Sequence, residues 1–120
     1  MSKPLLAAFA LVPALTTPVS AAAPADDPPP YIVTVGSRYL PSDIVLVRGS
    51  TLSLLTLEVP GHDITAAEPG PNGQPAFKSD PVSGVGDSAV VRGVEFLEPG
   101  THQFLCAFHE EMRGSIIVVP

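Results

Sequence analysis

Short runs of apolar and β-branched residues, separated by glycine and proline, fill the chain from about residue 31 onward. Six of these runs predict strands: 31–35, 44–47, 51–59, 88–96, 101–106 and 115–119. The apolar positions show no helical period of useful length. Short strands with glycine and proline between them predict an all-β fold, either a two-sheet sandwich or a barrel.

The middle of the folded part is the hardest region to interpret. Residues 68–75 contain three prolines and two glycines, and most of 80–87 is also rich in turn-forming residues. Such composition predicts loops. We expect at most one short helical turn in this region.

The N-terminus predicts export. Lys3 precedes an apolar stretch, residues 5–15, which has the length of a signal h-region and is short for a bilayer span. The small residues Ala21–Ala23 offer cleavage sites, so we assign residues 1–23 to a signal peptide. The alternative, an uncleaved anchor, needs a longer apolar stretch, and we expect no stable membrane insertion. Residues 24–30 form a Pro-rich acidic linker, and residues 31–120 form the single domain.

The charge balance restricts the partners. Six basic residues face twelve acidic ones, and removal of Lys3 with the signal leaves five against twelve, a net charge of −7. Nucleic acid binding requires basic patches, so it is excluded. An acidic protein suits a cationic partner, although simple solubility explains the charge equally well.

Three soft donors lie close together near the C-terminus: Cys106, His109 and Met112. A lone cysteine in an exported protein cannot form an internal disulfide. It could be a buried inert thiol, but the neighbouring imidazole and thioether favour metal binding. One thiolate, two imidazoles and a weak axial thioether suit a blue copper site for electron transfer.

The second imidazole has two candidates. His62 follows Pro60-Gly61 at the end of a predicted strand. His102 shares a strand face with Phe104 and Cys106, but about 3.3 Å per residue places it roughly 13 Å from Cys106. We therefore favour His62 as the ligand and interpret His102 as a packing residue. After Cys106 we expect the chain to leave the sheet and to loop through the other two donors, with Gly114 turning it into the last strand.

These motifs resemble those of the cupredoxins, the small blue copper proteins. The similarity covers residues 31–120 and is carried by Tyr39-Leu40-Pro41, Gly61-His62-Asp63 and the stretch 94–114. It implies a Greek-key two-sheet sandwich of about eight strands. It also implies one type 1 copper ion, held by His62, Cys106, His109 and Met112.

Three departures from the common cupredoxin pattern involve residues near the proposed site. Asp63 stands where asparagine usually braces the copper loops, so the brace can accept hydrogen bonds but cannot donate them. Phe108 replaces a proline, and its free N–H could bond to the thiolate and favour Cu(I). Glu110 and Glu111 add negative charge beside His109, which favours Cu(II).

The resemblance implies a non-enzymatic protein that shuttles single electrons between redox partners, with His109 as the electron port. A cationic docking patch on the partner would fit the acidic residues, and we expect a monomer in the periplasm or outside the cell. The alternative is copper storage or delivery without redox turnover. The scarcity of methionine, Met1 and Met112 only, counts against that alternative.

Overall fold

The computed structural model describes residues 29–120, so the predicted signal peptide and most of the linker lie outside the described residues. Nine strands are present within them. In chain order they are β1 Tyr31–Val35, β2 Arg38–Leu40, β3 Asp43–Val47, β4 Ser53–Thr56, β5 Thr65–Ala66, β6 Lys78–Ser79, β7 Ser88–Arg92, β8 Gly100–Cys106 and β9 His109–Val119.

The strands form two layers that share one strand. The first layer has the strand order β2-β1-β4-β7. The second has the order β7-β6-β5-β8-β9-β3, so β7 belongs to both layers. Two pairs are parallel, β1 with β4 and β3 with β9, and the others are antiparallel. This arrangement confirms the predicted all-β sandwich. Nine strands are present among the described residues, against six predicted from the sequence pattern and about eight implied by the resemblance. The pattern missed β2, β5 and β6, which are too short to show a period in the sequence.

The core lies between the two layers and is filled by alternate side chains of the strands. On β1, Ile32 and Thr34 are buried while Tyr31 and Val35 are exposed. The largest fully buried apolar side chains come from both layers: Phe77, Phe104, Ile32, Leu52, Leu54, Ile64 and Ile116. Burial of this interior apolar surface is the main favourable contribution to folding.

The predicted strand 88–96 is too long at its C-terminal end. Strand β7 ends at Arg92, and a 3-10 turn covers Val94–Phe96. Gly93 between them has φ 101°, and a Cβ there would lie 2.5 Å from the Ala76 carbonyl oxygen. The backbone therefore needs glycine at this position. Within residues 29–120 this is the one helical turn, and the region 68–87, for which the sequence allowed such a turn, contains none.

The connection from β8 to β9 also differs from the prediction. His109 pairs directly with Cys106 across the two-residue turn Ala107-Phe108, while Leu105 pairs with Arg113. Residues 110–112 are therefore an insertion in the β9 side of the ladder rather than part of a long loop. Gly114 lies within β9 and is required there for packing, because a Cβ would collide with the Ser42 carbonyl oxygen and the Phe104 ring.

Candidate metal centre

Three potential ligands from two distant segments meet at one end of the sandwich. The donor atoms of His62, Cys106 and His109 all lie within 4.8 Å of one another. Cys106 Sγ is 4.0 Å from His62 Nδ1 and 3.6 Å from His109 Nδ1. His62 and Cys106 are fully buried, and His109 is partly exposed. The fold thus brings together the two segments, 44 residues apart, that sequence spacing alone could not join.

These separations fit a metal ion between the donors. Bonds of about 2.0 Å to nitrogen and about 2.3 Å to sulfur, at 120°, place the two donor atoms about 3.7 Å apart. The measured sulfur–nitrogen distances of 3.6 Å and 4.0 Å lie on either side of that value. Because both imidazoles turn Nδ1 toward the thiol, the arrangement matches two nitrogens and one sulfur around a common point. This donor set is typical of type 1 copper.

Met112 lies on the inserted segment of β9, three residues after His109. Its side chain is 3% exposed and belongs to the same buried cluster as Cys106. A buried thioether at this end of the sandwich is suited to a weak axial bond.

Glu58 fixes the orientation of His62. Its Oε2 lies 2.6 Å from His62 Nε2, and the carboxylate also accepts hydrogen bonds from the N–H groups of Gly36 at 2.8 Å and Ser37 at 3.0 Å. The hydrogen bond from Ser37, followed by those from Gly36 and His62, lowers the pKa of Glu58. With its proton on Nε2 facing Glu58, the imidazole presents Nδ1 as the free lone pair toward Cys106. Sequence reasoning missed Glu58; its one signal was an acidic residue four positions before a candidate ligand.

Asp63 braces the turn that joins Cys106 to His109. Its Oδ1 accepts a hydrogen bond from the Ala107 N–H at 2.8 Å. Its Oδ2 accepts from Lys78 Nζ at 2.9 Å and from Thr65 Oγ1 at 3.1 Å. The side chain therefore acts as an acceptor, as the sequence predicts. The carboxylate links the His62 segment to the β8–β9 hairpin.

Tyr39 closes the site from the opposite layer. Its hydroxyl donates a hydrogen bond to the Asp63 carbonyl oxygen at 2.5 Å, and its ring contacts Phe104 edge-on with centroids 4.8 Å apart. Burial raises the pKa of Tyr39 well above its usual range, and charge on Cys106 adds to the rise. The phenol therefore stays protonated, so it donates to the His62 segment and helps to exclude water.

His102 lies outside the cluster, as its strand position predicts. Its Nε2 is 2.7 Å from the Glu98 carbonyl oxygen, and its Nδ1 is 3.1 Å from Glu68 Oε1. Both ring nitrogens therefore have protein partners that join β8 to the loops around it. A structural role accounts for this residue fully.

Solved structures with the same fold include several amicyanins. The amicyanin of Paracoccus versutus (Thiobacillus versutus) is 26% identical to this chain with a TM-score of 0.63, and the alignment covers 79% of this chain and 87% of that one. A reduced Cu(I) form of an amicyanin variant is 23% identical with a TM-score of 0.63, over 83% and 92% of the two chains. Another Cu(I) amicyanin variant is 22% identical with a TM-score of 0.64, over 78% and 84%.

No protein-family model matches the chain, and the search of curated proteins found no match either. The structural similarity confirms the predicted resemblance, and the chain has the cupredoxin fold. Its His-Cys-His cluster fits the type 1 copper site of that fold. Within residues 29–120, no helix is long and apolar enough to cross a membrane.

Proposed function

We propose that this protein binds one type 1 copper ion and carries single electrons between redox partners. The observation that supports this most directly is the convergence of His62 Nδ1, His109 Nδ1 and Cys106 Sγ within 4.8 Å. Met112 is the proposed axial ligand. The similarity to amicyanins that have been described in Cu(I) forms supports the same metal.

The proposed ligands are held in place by hydrogen bonds, so their arrangement should change little between Cu(II) and Cu(I). Copper, when bound, supplies a one-electron couple between Cu(II) and Cu(I). Glu58 holds His62, and Asp63 holds the turn between Cys106 and His109, each through hydrogen bonds of 2.6–2.8 Å. Ligands fixed in this way need little rearrangement on electron transfer. Burial of Cys106 keeps water from the thiolate.

We propose His109 as the route by which electrons leave. His109 is partly exposed and contacts both the buried thiol and the tilted ring of His62, whose centroid is 4.9 Å away. Phe108 beside it is 56% exposed and offers an apolar contact. Glu110 and Glu111 directly follow His109 in the sequence, and both are exposed. A partner with an apolar contact area and a cationic rim would fit this end of the molecule.

Kinetics of the copper-loaded protein test this proposal. We expect fast electron self-exchange between Cu(I) and Cu(II) forms, because little reorganisation is needed. A protein that binds copper tightly but exchanges electrons very slowly would instead be a storage or delivery protein. Such a result would overturn electron transport while leaving the metal site intact.

Export is a further part of the proposal. Residues 1–23 serve as the signal peptide, residues 24–30 as the linker, and the mature protein is periplasmic or extracellular. The first strand begins at Tyr31, directly after the proposed linker, which supports this division. N-terminal sequencing of the mature protein should find a start just after one of Ala21–Ala23. Recovery of the chain with Met1 still attached would contradict it.

A further inference from the structure

We propose that Lys78 sets the reduction potential of the copper centre and positions its ligands, acting through Asp63. This inference rests on the proposed copper function. The Lys78 ammonium hydrogen-bonds to Asp63 and Thr65, neither of which is a proposed ligand. It therefore acts on the turn that follows Cys106 through the Asp63 carboxylate.

The strand register places these groups together. Thr65 on β5 pairs with Lys78 on β6. Asp63 precedes Thr65 by two residues, and both side chains face the same ammonium group. Lys78 Nζ lies 2.8 Å from Thr65 Oγ1 and 2.9 Å from Asp63 Oδ2. Both partners come from the segment that carries His62.

The buried carboxylate requires this partner. The Asp63 side chain is 2% exposed, whereas that of Lys78 is 42% exposed. A buried ionised group is strongly unfavourable unless it is paired and hydrogen-bonded. The two Asp63 oxygens bind different partners. Oδ1 accepts a hydrogen bond from the Ala107 N–H, and Oδ2 accepts hydrogen bonds from Lys78 and Thr65. An asparagine has only one acceptor oxygen and could not serve both Ala107 and Lys78. Aspartate and lysine therefore belong together at these two positions.

The pair also controls the charge near the metal. A lone carboxylate on the residue after His62 would favour Cu(II) and lower the reduction potential. The ammonium at 2.9 Å offsets that charge, although solvent screens the exposed part of Lys78. For a unit charge about 10 Å away at an effective dielectric constant of about 20, Coulomb's law gives roughly a tenfold change in the Cu(II)/Cu(I) equilibrium. A tenfold change is about 59 mV for a one-electron couple.

Four copper-loaded proteins test the proposal: the unchanged chain, Lys78→Met, Asp63→Asn and the double variant. We expect Lys78→Met to lower the potential by up to about 59 mV and Asp63→Asn to raise it. The double variant should return close to the starting value, because the two positions together again carry no net charge. Arg48→Met is the matched control, since its ion pair with Glu98 is exposed on both sides.

Melting of the four metal-free proteins provides the second measurement. Both single variants should melt lower than the unchanged chain, and the double variant should recover much of the loss. The proposal is overturned if Lys78→Met shifts the potential no more than Arg48→Met does. Coupling in melting temperature without coupling in potential would reduce the pair to a structural contact, which also overturns it. Failure of the copper function is distinguishable, because the unchanged chain would then lack the blue colour.

Discussion

Replacement of Glu58 by alanine should destabilise the protein strongly. Apart from Asp63, no other acidic residue should cause so large a loss when it is replaced by alanine. The substitution removes three hydrogen bonds, of 2.6, 2.8 and 3.0 Å, from His62, Gly36 and Ser37. It leaves the His62 Nε2–H without a partner in a fully buried position. An unsatisfied buried group costs about 1–3 kcal/mol. The two backbone N–H groups lie near the surface, where water replaces most of the lost bonding.

The expected loss in the free energy of unfolding is therefore about 1–3 kcal/mol. For a domain of this size, each kcal/mol lowers the melting temperature by about 4–8 °C. Copper affinity should fall by about 10–100-fold as well, because the ring of His62 is no longer held in one orientation. Thermal unfolding of the metal-free protein and competitive copper titration measure the two effects separately.

Glu98→Ala provides the control for this experiment. Glu98 pairs with Arg48 at 3.2 Å, but its side chain is 71% exposed, and exposed pairs contribute about 0–1 kcal/mol. We expect this variant to keep its copper affinity and nearly all of its stability. If Glu58→Ala were as stable as Glu98→Ala and bound copper equally well, the orienting role of Glu58 would be refuted.

Further predictions concern colour, stability and docking. Cys106→Ser should abolish the intense blue absorption and Met112→Gln should retain a shifted one; a Cys106→Ser variant that still turned blue with Cu(II) would contradict the thiolate assignment. His102→Phe should keep the colour and lower the melting temperature, since it removes contacts to two loops; loss of copper on titration would mean that the wrong histidine was assigned. Replacing both Glu110 and Glu111 with lysine should slow electron transfer to a cationic partner at low salt, and an unchanged salt dependence in stopped-flow experiments would exclude steering.

The sequence predicted the part of the site that is local in the chain. Cys106 and His109 stand three residues apart, so any hairpin keeps them close, and strand alternation placed Cys106 and Phe104 on the buried face. The assignment of His62 as a ligand rested on weaker grounds, because the distance between His62 and Cys106 depends on how β5 pairs with β8. The fold, and not the spacing, brings it to the sulfur.

The details that hold the ligands were beyond the sequence. Glu58 acts through the turn at Gly36 and Ser37, more than twenty residues away, and Lys78 reaches Asp63 through the pairing of two-residue strands. Such short strands leave no hydrophobic period to read. The insertion at residues 110–112 was also hidden, because the run Glu110-Glu111-Met112 is mostly polar and shows no strand period from which a pairing could be predicted.

The claim on which the account depends is that His62, Cys106, His109 and Met112 bind one copper ion together. A crystal structure of the copper-loaded protein, with the metal located by its anomalous scattering, tests it most directly. We predict one copper ion bonded to the Cys106 sulfur and to Nδ1 of both histidines, with the Met112 sulfur at a longer distance. Copper bound elsewhere, or bound without His62 or without Cys106, would contradict the account.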